Sequence, residues 1–99
     1  MRSREVRRVF DTARPLHGRR VVVFLAPGTG SLAVVAARRV GGAVERNRAR
    51  RILREAWRQV SPQITDDADV VLVAREAIRG AMTHDLVAEM TDLLEATPS

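Results

Sequence analysis

The stretch GGAVERNRARRILREAWR, residues 41–58, carries six arginines and the single tryptophan of the chain. Winding residues 46–60 at about 100° per residue gathers Ala49, Ile52, Leu53, Ala56, Trp57 and Val60 into one arc. Arg46, Arg50, Arg51, Arg54 and Arg58, with Asn47 among them, fill the neighbouring arc, and Arg48 and Glu55 lie farther round. A helix divided this way has one dry face, which must be covered by other apolar elements of the fold. Its other face has the opposite problem. Like charges one turn apart repel, and Glu45 and Glu55 cannot balance six arginines.

The covering elements flank this helix. RRVVVFLAP (19–27) is rich in β-branched and aromatic residues, PGTG (27–30) is a turn cluster, and SLAVVAARRV (31–40) is a second apolar run. Together they predict two adjacent antiparallel strands joined by a hairpin turn. DDADVVLVAR (66–75) supplies a third strand. SREVRRVFDTA (3–13) predicts a first helix, with Ser3 as its cap and Val6, Val9, Phe10 and Ala13 at helical spacing, ending before Pro15. Pro62 stops the arginine helix, and THDLVAEMTDLLEA (83–96) closes the chain as a helix through Leu86, Val87, Met90, Leu93 and Leu94. The order α-β-β-α-β-α is that of an α+β sandwich, a small sheet with helices packed on it, in one domain over residues 1–99.

Several function classes drop out. Without cysteine the chain has neither disulfides nor a thiolate metal site. MRSREVRRVF lacks the apolar core of a signal peptide, and no apolar run reaches the roughly 18 residues of a membrane span. The cytoplasm is the expected compartment. His17 and His84 have no serine, acid or second histidine at the spacing of a triad or metal site, so no catalytic residue and no protein-held metal are expected. Asp66, Asp67 and Asp69 lack the ligand spacing of a calcium loop and read as a turn that solubilises the start of the third strand. PGTGS lacks the GK[ST] ending of a phosphate loop and leads into a strand.

What remains is charge. The net charge is +5 and all 17 basic residues are arginine. Residues 1–58 hold fifteen of them against four acids, whereas residues 59–99 hold two against eight. Such a field draws polyanions to one side of the molecule, and nucleic acid is the leading partner. Arg38 and Arg39 extend the patch, and Gly41-Gly42 lets a ligand approach the helix start. With three aromatic residues, the chain cannot stack bases over a wide sheet. Trp57 lies in the dry arc. By alternation Phe24 shares a sheet face with Val22 and Ala26, opposite Val21, Val23 and Leu25. Two placements are open for Phe24 and Phe10: core packing, or a cleft on the second sheet face where an unpaired nucleotide stacks.

RRVGGAVERNRARRILREAW closely resembles the signature of the bacterial ribonuclease P protein family: a basic pair, a hydrophobic residue, glycine, A-V-x-R-N-R-x-[KR]-R and an R-[EQ]-[AS]-aromatic ending. REVRRVF resembles the first helix of that family, RRVVVFLAP its strand with a central aromatic, and ADVVLVAREAI its late strand. The resemblance implies a fold of the ribosomal-protein-domain type, with a left-handed βαβ crossover through strand 31–39, the arginine helix and strand 69–75, against the usual hand. It implies an accessory role in an endoribonuclease whose catalyst is an RNA subunit with bound Mg²⁺, removing the 5′ leader of precursor tRNA. Arg38, Arg39, Arg46, Asn47, Arg48, Arg50, Arg51, Arg54 and Arg58 would dock the RNA subunit, and Phe10, Phe24 and Val6 would line the leader cleft. Neither a membrane nor an obligate protein partner is implied. Val6 stands where the family commonly has an aromatic, and Ala37 where it has serine.

Two other readings use the same residues. A general RNA-binding module would share the steep salt dependence and differ in its partner. A basic helix seeking an acidic protein or membrane would need its apolar arc free.

Overall fold

The computed structural model describes residues 1–64 and 67–96. Helix α1 spans Ser3–Thr12, followed by strands β1 (Arg14–His17), β2 (Val21–Pro27) and β3 (Leu32–Val35), helix α2 (Ala43–Val60), strand β4 (Ala68–Ala74) and helix α3 (Thr83–Glu95). Single 3-10 turns lie at Arg38–Val40, Ser61–Gln63 and Glu76–Ile78. The strands form one sheet in the order β1-β2-β4-β3. β2 pairs antiparallel with β1 and β4, while β3 runs parallel to β4, Leu32 opposite Val70 and Val35 opposite Val73. β3, α2 and β4 therefore make a βαβ unit.

The pattern misplaces four features. The runs 19–27 and 31–40 are not neighbours, because β4 lies between β2 and β3. PGTG passes over the end of β4 rather than turning a hairpin. Two apolar runs and a short turn fit either arrangement, and the tie that decides it is made by Asp69, described below. The second run is strand only to Val35 before it tightens into the turn at Arg38–Val40. No strand is expected at RPLH, yet β1 forms there, with only Leu16 packed on the main core. It is an edge strand, where proline is tolerated. Finally, Ser3 is already helical: Arg2 holds the cap position, and no side chain caps the helix.

Alternation along the strands divides the sheet into two faces. Val21, Val23, Val70, Leu72 and Ala74 pack with Ile52, Leu53, Ala56, Trp57 and Val60 of α2 and with Leu86 and Met90 of α3. The buried residues of α2 are the six of the dry arc. Each large side chain so buried contributes about 1.5–3 kcal/mol, and together they fix α2 with its arginines outward. On the second face, Val9 of α1 is buried with Ala26 and Val71, flanked by Val6, Ala13 and Phe24. Helix α1 covers the Ala26 and Val71 end of this face and leaves the Val22 and Val73 end open. No described helix is long and apolar enough to cross a membrane.

Candidate nucleic-acid interface

The cationic face of α2 starts at its first turns. Asn47, Arg51, Arg54 and Arg58 are exposed, and Arg46 and Arg50 are half-buried along the same side. Among the described residues, the side chains of Arg46, Arg51, Arg54 and Arg58 make no internal hydrogen bond or ion pair. Arg50 donates to the Asn47 side-chain oxygen, which orders both groups. Arg48 turns inward instead: its guanidinium donates to the Ala81 carbonyl at 2.7 Å and ties α2 to the segment before α3. Thr83 donates to Glu55 at 3.1 Å along the same seam. Arg38 and Arg39 are exposed on the turn ahead of α2. The need for glycine at Gly41 is conformational, since its φ is +146°.

A groove lies on the open part of the second sheet face. At one end Phe10, 40% exposed, meets Phe24 edge to face, with ring centroids 4.8 Å apart and planes at 78°. Phe24 packs on Val9, Ala26 and Val71 and is only half-buried, so each ring both covers the sheet and keeps an accessible edge. Val6 sits beside them, half-buried. Val22 stands about 7 Å along the strand from Phe24 on the same face. From there a cavity of about 720 Å³ continues, lined by Val22 and Val73 and rimmed by His17, Arg19, Arg39 and Arg75. Arg39 belongs both to this rim and to the turn that leads into α2, so groove and cationic helix are contiguous. Aromatic edges at one end, a dry floor and guanidinium groups at the other suit a single strand of nucleic acid, which offers bases and phosphates in alternation.

Asp69 overturns the reading of its neighbourhood as a solubilising turn. It is 5% exposed, on the groove face of β4. Its Oδ1 accepts the amides of Thr29 and Ser31, each at 3.1 Å, and its Oδ2 accepts Arg8 of α1. The two amides first, then the Arg8 charge, hold the carboxyl below the ordinary aspartate range against the opposing effect of burial. PGTGS therefore wraps an internal carboxylate with the backbone donors that a phosphate loop would turn toward a ligand. A Cβ on Gly28 would lie 2.2 Å from the Asp69 carboxylate, which is why glycine stands there. Asp67 is exposed, and Asp66 lies outside the described residues.

The profile of the family described as Ribonuclease P matches residues 1–97. The chain belongs to the ribonuclease P protein family. It is 29% identical over 100 residues to the ribonuclease P protein component of Caldanaerobacter subterraneus, covering 98% of this chain and 86% of that one. It is 40% identical over 77 residues to that of Chloroflexus aurantiacus, covering 75% and 57%. The fold matches the ribonuclease P protein of Thermotoga maritima with a TM-score of 0.81, at 22% identity, over 100% of this chain and 97% of that one.

Within this family member, sequence reasoning left out Arg19, Arg75 and Val73 of the groove and the anchoring role of Arg8, and set Val22 on the face of Phe24 without giving it a part in the groove. Val22 and Val73 were open to discovery, because they alternate with core residues on strands whose core face was already assigned. Arg75 and Arg8 were not, since their places depend on sheet order and on a pairing 61 residues apart in sequence. His84 is surface-exposed beside Asp85, whereas His17 lies on the groove rim.

Proposed function

We propose that this chain is the protein subunit of a cytoplasmic ribonuclease P ribonucleoprotein, docking the RNA subunit with α2 and the 5′ leader of precursor tRNA in the groove. The observation that carries the reading is the unpaired arginine face of α2 running into a groove that ends on Phe10 and Phe24. Repulsion between arginines one turn apart costs an isolated helix about 0.2–0.5 kcal/mol per pair, and RNA phosphates offset it. Arg38, Arg39, Arg46, Asn47, Arg50, Arg51, Arg54 and Arg58 belong to the RNA-subunit surface. Arg48 stiffens that surface from behind through Ala81.

Among the described residues, no group of three or more His, Asp or Glu side chains converges on one point. Mg²⁺ and the hydrolysis of the phosphodiester are assigned to the RNA subunit on the strength of the family resemblance. The protein supplies binding and orientation: the guanidinium groups neutralise phosphates, and the groove holds the unpaired leader so that precursor is preferred over mature tRNA.

Replacing Phe24 with leucine keeps apolar cover over the sheet and removes the ring. The expected result is about a tenfold loss of affinity for precursor tRNA, the size of one base stack, with mature tRNA binding and RNA-subunit assembly unchanged. Titration of the reconstituted holoenzyme with labelled precursor and mature tRNA measures it. An unchanged preference for precursor removes the leader from this groove.

A further inference from the structure

We infer that Arg8 and Asp69 form a latch that sets the position of α1 across the sheet and thereby positions Phe10 for the leader, an inference that rests on the groove reading above. On α1, Val9 is the fully buried residue and points at Ala26 and Val71. Arg8 and Phe10 stand about 100° to either side of it. Arg8 reaches the Asp69 carboxylate near the 27–31 loop, and Phe10 reaches Phe24 over the sheet. A narrow apolar ridge, here Val9 with half-buried Val6, lets a helix roll about its own axis; an anchored side chain on one flank prevents the roll, and the flank so fixed carries the aromatic with it.

Most exposed ion pairs would be too weak and too mobile to do this. Here the anion cannot follow its partner. Asp69 is buried, and its Oδ1 is already held by the amides of Thr29 and Ser31, which leaves Oδ2 as a fixed socket for Arg8. Arg8 also approaches the Pro27 carbonyl at 3.5 Å, so the same side chain spans the ends of β2 and β4. Asp69 and Arg8 are positioning residues. Asp69 has its side chain turned into the protein and is out of reach of a bound strand.

That division of labour makes the test clean. Asp69→Asn retains an oxygen for Thr29 and Ser31 and puts an amide donor where Arg8 needs an acceptor, so it cuts the latch while keeping the loop. Arg8→Ala cuts it from the other side. In the reconstituted holoenzyme each variant is expected to lower the preference for precursor over mature tRNA about tenfold, as the loss of one base stack would. The double variant adds nothing further, kcat at saturating substrate is unchanged, and Arg8→Lys recovers most of the preference.

If Arg8→Ala lowers the preference and Asp69→Asn does not, Arg8 touches the leader directly and the latch is wrong. If both variants keep full preference while Phe24→Leu loses it, the latch is wrong and the groove reading stands. If Phe24→Leu also keeps it, both fall together.

Discussion

Replacing Arg46, Arg51 and Arg54 together with alanine is expected to lower affinity for the ribonuclease P RNA by roughly a hundredfold and to leave the free protein as stable as before, or more so. The three side chains have no partner among the described residues, so their removal breaks no internal bond. Alanine is the best helix former, and each substitution relieves repulsion from an arginine one turn away. The cost falls on binding. At about 1 kcal/mol for each partly solvated phosphate contact, three contacts amount to roughly a hundredfold.

The salt dependence should change with it. Each phosphate contact contributes about 0.7–0.9 to the slope of log K against log salt, so the triple variant loses about two to three from that slope. Fluorescence titration at several salt concentrations, with thermal unfolding of the free protein alongside, measures both halves. A variant that binds normally would remove RNA docking from this face. A variant that binds poorly because it has unfolded would show that the arginines serve the fold.

The second large effect is on stability. Gly28→Ala would place a methyl group 2.2 Å from the Asp69 carboxylate. Asp69 cannot retreat, because Thr29, Ser31 and Arg8 hold both of its oxygens. The 27–31 loop must move instead, and overpacking of this kind typically costs about 1–3 kcal/mol. For a chain of this size each kcal/mol lowers Tm by about 4–8 °C. The check is a double-mutant cycle by thermal unfolding. With Asp69→Ala already in place, Gly28→Ala should cost little, because the clash has gone. Simple additivity of the two substitutions would show that Gly28 matters for another reason.

The arginine helix was legible because its periodicity is strong and long: Ala49, Ile52, Leu53, Ala56, Trp57 and Val60 are all buried, as the spacing predicts. The same holds for Leu86 and Met90 of α3. The alternation of Phe24 with Val23 and Leu25 was enough to put the ring on the second face. Sheet order was not legible. PGTG between two apolar runs fits a hairpin by local rules, and only a carboxylate 38–40 residues downstream shows why the loop crosses β4 instead. β1 was hidden by its length and its proline, since four residues with one inward side chain carry no periodicity.

At the site the limit was of the same kind. Charge density marks a surface but does not say which arginines are already engaged. Arg8 and Arg48 have the same residue type and neighbourhood as the free arginines, yet one anchors α1 and the other braces α2. Family resemblance assigns Arg48 to RNA docking together with Arg46 and Arg51, while the geometry gives it an internal partner. The groove rim at Arg19, Arg39 and Arg75 brings together three distant parts of the chain: the antiparallel pairing of β2 with β4 sets Arg19 near Arg75, and the parallel pairing of β3 with β4 brings Arg39 to them.

Cleavage of a 5′-extended precursor tRNA by a bacterial ribonuclease P RNA at low magnesium, with and without this protein, decides whether the chain works as the subunit. The protein is expected to stimulate cleavage, and the product to carry the correct mature 5′ end. Tight, salt-sensitive RNA binding with no stimulation would contradict the subunit role and leave a general RNA-binding module on the same fold.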